Sequence, residues 1–307
     1  MRLDLYLLQH NILPSRKKIK HLLDLGGIRV NGKRVRMASW QVSDQDRIQC
    51  CTLLVGKKDP KKYTSKDIAI LYEDSNILCI NKPSGLLSTA SPQPHTHLLE
   101  ILKDENLKIC HRLDKDTTGV MILAKNPDSY NFITQAFLKR TIEKSYHAIT
   151  FPYPKITNQE KEHGWTEHSY LSKGPIGTIR SSTSQKQGKL AITHFQIMAT
   201  HNQQPVSLIQ CKPTTGRTHQ IRVHLQNKNT SCLGDPLYGH GQWHDLDKDF
   251  LSTFTDIYPR ILLHARSITI PGYNHHHKKS SDALTITAPP PTIFKETCTH
   301  FSLPYNN

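Results

Sequence analysis

The sequence predicts an α+β protein, with a small basic α/β module ahead of a larger domain that mixes helices and strands. Two observations carry this expectation. The first fifty residues join two amphipathic helical stretches to a hairpin signal. Beyond residue 66, apolar runs of strand length alternate irregularly with helix signals. No regular βαβ repeat emerges, which argues against a doubly wound parallel sheet.

Taken in order, Leu3, Tyr6 and Leu7 fall on one helical face. Ser15 stands where an N-cap is wanted for a second helix, whose buried stripe is Ile19, Leu22 and Leu23. Gly26-Gly27 supplies a C-terminal stop. Ile28-Arg29-Val30, Asn31-Gly32 and Lys33-Arg34-Val35 then read as a hairpin. Residues 1–50 thus make one module, and Arg16, Lys17, Lys20, Lys33 and Arg34 lie on its solvent side. Residues 51–66 are polar and basic around a proline and read as a linker.

Residues 67–307 form the expected second domain. Strands are expected at 68–71, 77–80, 144–150, 192–199, 206–211 and 261–270. An amphipathic stretch covers Leu98 to Ile109, and an apolar strand-like run covers Val120 to Ala124. Asn126-Pro127 opens a helix with Tyr130, Ile133, Ala136 and Phe137 on its apolar face. Gly216 to Leu225 reads as a turn entering a helix. Residues 287–307 are Pro-rich and weakly patterned, so the last dozen are expected to be loosely ordered.

The charge is +15, with 40 Lys and Arg against 25 Asp and Glu. Residues 1–62 hold 14 of the basic and 5 of the acidic residues, and so most of the excess. Like charges repel, so such an excess points to a polyanionic partner. No apolar run approaches the roughly 20 residues that span a bilayer. The start, MRLDLYLLQHN, lacks a signal peptide's small-residue cleavage site. Seven scattered cysteines without a C-x-x-C pair suggest reduced thiols. The expectation is a cytoplasmic monomer with no metal and no cofactor. His275-His276-His277 reads as a solvated loop, since three consecutive residues do not easily share one metal ion.

The chemistry concentrates in His111-Arg112-Leu113-Asp114-Lys115-Asp116-Thr117-Thr118-Gly119. Two carboxylates two residues apart invite an acid/base or metal-dependent hydrolase reading, but no further acidic cluster accompanies them. Three other segments frame this loop. One is Asn81-Lys82-Pro83-Ser84-Gly85, a strand end entering a turn. In another, Lys144 and Tyr146 alternate onto one side of a strand, and the tyrosine offers a flat face and a hydroxyl. The last, Thr215-Gly216-Arg217-Thr218-His219-Gln220-Ile221-Arg222, places arginines at a helix entrance suited to an anion.

In this order, and followed by Gly234-Asp235-Pro236-Leu237-Tyr238-Gly239, the segments resemble the RluA-type family of ribosomal large-subunit pseudouridine synthases, from about Ile68 to Ile270. Residues 1–50, with RLD, Ser15-Arg16 and GGIRVNGKRV, resemble the small RNA-binding module of the S-four type. The resemblance implies a mixed, mainly antiparallel central sheet and conversion of uridine to pseudouridine in RNA. Ribosomal RNA is the implied substrate, with transfer RNA or a non-catalytic RNA-binding role as alternatives. It implies that Asp114 is the essential aspartate and that Arg112 enters the gap left by a flipped base. It implies that Tyr146 stacks on the uracil, and that it is a proposed base. It further implies that Arg217 pairs with the catalytic carboxylate and that Leu262 or Leu263 supplies an apolar wall. Lys144 and Arg222 join the candidate RNA contacts. Asp116 is expected to shape the turn. The PGYNHHHKKSSD segment after Ile270 departs from the family's usual His-Pro turn.

Overall fold

The computed structural model describes residues 1–25, 28–31, 33–50, 63–90, 96–174, 178–235, 237–239, 261–273 and 283–305. In the N-terminal module, α1 (Leu3–Gln9) and α2 (Arg16–Leu25) accompany a three-stranded antiparallel sheet. Its strands are β1 (Ile28–Val30), β2 (Lys33–Arg34) and β3 (Ile48–Cys50), in the order β2-β1-β3. The expected stripe is the core: Leu3, Leu7, Ile19, Leu22, Leu23 and Ile28 are all buried. Ser15 acts at the start of α2 as its residue type suggests, with its Oγ accepting from Lys18 N–H at 3.3 Å. The polar turn after Val42 locks the hairpin, because Asn31 donates to Asp46 at 2.6 Å and accepts from Arg47 N–H at 2.8 Å. Gly26, Gly27 and Gly32 lie outside the described residues, as do 51–62 of the expected linker.

The remaining strands are β4 (Ala69–Glu73), β5 (Ile77–Lys82), β6 (Lys108–Ile109), β7 (Thr118–Ala124), β8 (Glu143–Phe151), β9 (Trp165–Lys173), β10 (Ile179–Ser182), β11 (Lys189–Thr200), β12 (Ser207–Pro213), β13 (Ser231–Cys232), β14 (Leu263–Ile270) and β15 (Leu284–Thr287). They form one 12-stranded sheet with the path β10-β9-β11-β12-β8-β14-β7-β5-β4. Strands β13, β15 and β6 join at β8, β14 and β7. Among the described strands every pairing is antiparallel except β14 with β7. The fold is therefore α+β with a mainly antiparallel sheet, as expected.

Alternation along the central strands assigns two faces. Val120 and Ile122 pack with Ile133 and Ala136 of α4 (Pro127–Leu138), whereas Met121 and Leu123 pack with Leu98 and Ile101 of α3 (Leu98–Leu102). Next along the sheet, Ile149 and Phe151 contact Phe294, while Ala148 belongs with Ile221 and Leu225 of α6 (Gln220–Asn227). β7 is buried along its whole length, which explains its unbroken apolar run. α4 begins where Asn126-Pro127 places it, with Asn126 Oδ1 accepting from Ser129 N–H at 2.9 Å. α5 (Asn158–His163) is a short exposed connection.

Several stretches depart from the sequence reading, among them the short strands β3, β13 and β15. β9 and β10 were not anticipated, because TEHSY and IRSS are too polar to signal strands and find their place only by pairing with neighbours. The C-terminal stretch expected to be loose instead forms α7 (Thr292–His300). Its Ile293, Phe294 and Cys298, with Phe301 just beyond its end, are buried against β8 and Leu208. The preceding prolines obscured four apolar residues in so short a segment. Residues 274–282, including the three histidines, lie outside the described residues.

Gly119 holds the two halves of the sheet together. Its φ is +114°, and a Cβ there would sit 2.2 Å from Ala265 O across the parallel pairing. Gly119→Ala must therefore push β7 from β14, and we expect a loss of about 3 kcal/mol or more in urea unfolding.

Candidate active site

The loop bearing Asp114 connects β6 to β7 and is anchored from several sides. Ser88 Oγ accepts from Leu113 N–H at 3.1 Å and donates to Leu113 O at 2.8 Å. Lys82 is fully buried, and its ammonium donates to Pro83 O, Leu86 O and Lys115 O, each at 2.9 Å. All three of its protons are thus satisfied by carbonyls. Burial pulls this lysine down to about 7, against the charges of Asp116 and Asp114. His111 Nε2 accepts from Ile122 N–H at 2.9 Å, and burial depresses the ring to about 3, which keeps it a neutral acceptor. At the loop's exit, Thr118 Oγ1 lies 2.9 Å from His264 Nδ1, and His264 Nε2 lies 3.0 Å from Ala288 O. A carbonyl only accepts, so Nε2 carries the hydrogen and Nδ1 accepts from Thr118.

The partner of Asp114 differs from the one expected. Arg222 Nη1 reaches Asp114 Oδ2 at 3.4 Å. Arg217 instead donates from Nε to Leu190 O at 3.0 Å. The spacing explains the difference: Arg217 precedes α6 in the turn, whereas Arg222 lies in its first turn and points inward. Arg222 was expected as an RNA contact, yet it is buried. Its Nε and Nη2 clamp Asp235 in a bidentate pair at 2.7 and 2.9 Å, and its guanidinium sits 4.9 Å from the centre of the Tyr238 ring. Burial opposes its charge, but Asp235 and then Asp114 outweigh burial and raise its pKa. Burial also pushes Asp235 up, yet Arg222 and the N–H groups of Tyr238 and Leu237 hold it below the usual carboxylate range. One nitrogen of an arginine neutralised by a second carboxylate therefore faces Asp114.

Asp114 lies in a cleft of about 200 Å³. Tyr146, Lys144, Arg217, His219 and Leu263 form its walls, and the exposed Arg112 stands at its edge. Leu263 thus takes the apolar-wall position left open between two leucines. Tyr146 packs between the clusters under α3 and α6. Burial, then the Asp114 charge, raises its phenol, so it stays protonated at neutral pH. Lys144 donates to Thr215 O at 3.3 Å, and burial lowers it to about 8. Asp116 does not line the cleft. Among the described residues, no three of His, Cys, Asp and Glu gather as metal ligands. Arg16, Lys17, Lys20 and Lys33 are exposed in the N-terminal module, away from these residues in sequence. The side chain of Arg34 lies outside the described set. Sequence reasoning quoted the segments that hold Lys82, His219, Asp235 and Tyr238 but gave none of the four a role. Asp235 and Tyr238 stand in a conspicuous GDPLYG stretch, but nothing local says that its carboxylate meets Arg222.

Comparison with known proteins supplies the family. The family model described as RNA pseudouridylate synthase matches residues 76–227, and the S4 domain model matches residues 1–48. The chain is 31% identical to ribosomal large subunit pseudouridine synthase D of Borreliella burgdorferi over 255 residues, covering 78% of this chain and 76% of that protein. It is 32% identical to ribosomal large subunit pseudouridine synthase C of Buchnera aphidicola over 286 residues, covering 89% and 85%. The solved structure of human RNA pseudouridylate synthase domain containing 4 aligns with a TM-score of 0.61 at 25% identity, covering 78% of this chain and 95% of that one. The chain belongs to the RNA pseudouridylate synthase family. It is an RNA-binding isomerase that converts uridine in RNA to pseudouridine.

The Arg222–Asp235 pair makes a stability prediction. Removing one partner strands a buried charge, so Asp235→Ala should cost about 3–5 kcal/mol in urea unfolding. A carboxylate with a depressed folded pKa stabilises above its unfolded value, here near about pH 4, and loses that contribution as pH falls through the folded value. The acid limb of the urea midpoint should therefore be shallower in Asp235→Asn than in the natural protein.

Proposed function

We propose that Asp114 is the catalytic carboxylate and that the substrate is large-subunit ribosomal RNA. The observation that carries the catalytic assignment is the Asp114–Arg222 contact on the floor of a cleft walled by Tyr146. The names of the Borreliella and Buchnera relatives support the choice of RNA.

Isomerisation breaks the N1–C1′ bond and forms C5–C1′. C5 gives up a proton and N1 gains one, so the formula is unchanged. Attack on the ribose at C1′, attack on the base at C6 and removal of the ribose C2′ proton all require the same ionised oxygen beside the glycosidic bond. Arg222 aims that oxygen. Tyr146 supplies the stacking face, with its hydroxyl protonated, and Leu263 the apolar wall. A stacked base reaches this cleft only by flipping out, at a cost of a few kcal/mol. Arg112, exposed at the edge, fills the gap that the base leaves. Arg217 and Lys144 hold the neighbouring backbone, and no metal or cofactor takes part. Residues 1–50 act as a docking module joined through 51–66 to a catalytic domain of 67–307. Arg16, Lys17, Lys20, Lys33 and Arg34 contact phosphate without reading sequence. The enzyme works as a cytoplasmic monomer.

Asp114→Asn should abolish pseudouridine formation while RNA affinity stays close to that of the natural protein. Selective chemical labelling and primer extension, applied to ribosomal and transfer RNA with and without the protein, would measure it. Full activity in the variant would remove the mechanism, and modification confined to transfer RNA would remove the substrate assignment. A triple replacement of Arg16, Lys17 and Lys20 by Ala should flatten the dependence of log affinity on log salt. The slope should fall by about 0.7–0.9 for each phosphate that the variant no longer neutralises.

A further inference from the structure

His219 and Tyr238 form a hydrogen-bonded pair on the wall of the cleft. The Tyr238 hydroxyl accepts from the backbone N–H of Ile179 at 2.8 Å and lies 2.9 Å from His219 Nδ1. A phenol has one proton to donate. Among the described residues, Nδ1 is the acceptor in reach of it. Nδ1 therefore accepts, and the ring's hydrogen sits on Nε2. That nitrogen is 3.9 Å from Asp114 Oδ2, too far for a hydrogen bond. The structure thus leaves an oriented N–H, on a side chain only 15% exposed, beside the carboxylate and with no acceptor among the described residues.

We propose that His219 is a substrate-recognising residue whose Nε2–H donates to a carbonyl oxygen of the flipped uracil, an inference that rests on uridine binding beside Asp114. Burial, then the Arg222 charge, holds the imidazole below its ordinary pKa, so the donor is neutral at pH 7. The chemistry favours that form. When N1–C1′ breaks, N1 keeps the electron pair and the ring's negative charge spreads onto O2 and O4. A fixed neutral donor stabilises this charge without surrendering its proton.

Uracil's near-symmetry gives the donor a second use. A half-turn about the N3–C6 axis exchanges N1 with C5 and O2 with O4 together. One stationary N–H therefore meets a carbonyl oxygen before the turn and the other carbonyl oxygen after it. Cytosine carries an amino group where uracil has O4. Its half-turn would bring donor against donor, and the same contact excludes it.

The test uses the full-length enzyme and a large-subunit ribosomal RNA transcript labelled with [5-³H]uridine, since each turnover frees tritium from C5 to water. Absence of release with the natural enzyme would overturn the substrate reading before any variant is compared. With release established, His219→Phe removes the donor and keeps a ring. It should slow single turnover at saturating enzyme about 10²-fold, with RNA affinity unchanged. His219→Gln, which restores an N–H, should recover much of that loss. Tyr238→Phe frees the imidazole to change tautomer and should slow turnover about tenfold. Because Tyr238 acts through His219, the double variant with His219→Phe should be no slower than His219→Phe alone. A His219→Phe rate close to the natural one overturns the proposal. So does a Gln variant as slow as the Phe variant, or multiplicative loss in the double variant.

Discussion

A guanidinium in a protein interior must be compensated before it can serve anything else, and Asp235 does this for Arg222. Two hydrogen bonds to Asp235 hold the plane of the guanidinium, and the Tyr238 ring lies close to it. The remaining nitrogen is then available to Asp114 in one direction only. If Arg222 answered to Asp114 alone, loss of the Asp114 charge would leave a bare cation in the core. With Asp235 present, the charge of Asp114 can change while the fold keeps its charge balance.

The same reliance on fixed groups extends around the cleft. Lys82 and Ser88 hold the loop backbone on either side of Asp114, and Gln220 holds the turn opposite. Gln220 accepts from Thr215 Oγ1 at 2.7 Å and from Arg217 N–H at 3.0 Å, and donates to Ile192 O at 2.9 Å. Few groups in the cleft are left to find their own orientation. Preorganisation of this kind lowers the cost of reordering at the moment of bond breaking.

Much of this was legible in the amino-acid order. Helix α4 was legible because Asn126-Pro127 is a local start signal and Ile133 and Ala136 repeat at helical spacing. That Asp114 and Tyr146 share a cleft was expected from the resemblance of their two segments, each compact in sequence. The partner of Asp114 was not, because Arg217 and Arg222 stand five residues apart in one motif and only the inward turn of α6 separates their roles. Asp235 was hidden for the opposite reason: its meeting with Arg222 is a tertiary contact, and nothing in a Gly-Asp-Pro stretch declares it. β9 and α7 were missed because their stability comes from neighbours rather than from local propensity.

The parallel seam between β7 and β14 has a temporal meaning as well as a spatial one. Thr118 and His264 touch across 146 residues of chain. The strand that launches from the Asp114 loop can pair early with β5, but it cannot gain its second neighbour, β14, until the polypeptide has been made well beyond residue 264. Such long-range closure comes late and slowly in folding. A growing chain has therefore synthesised the whole S4-domain segment, residues 1–48, long before it owns a finished cleft.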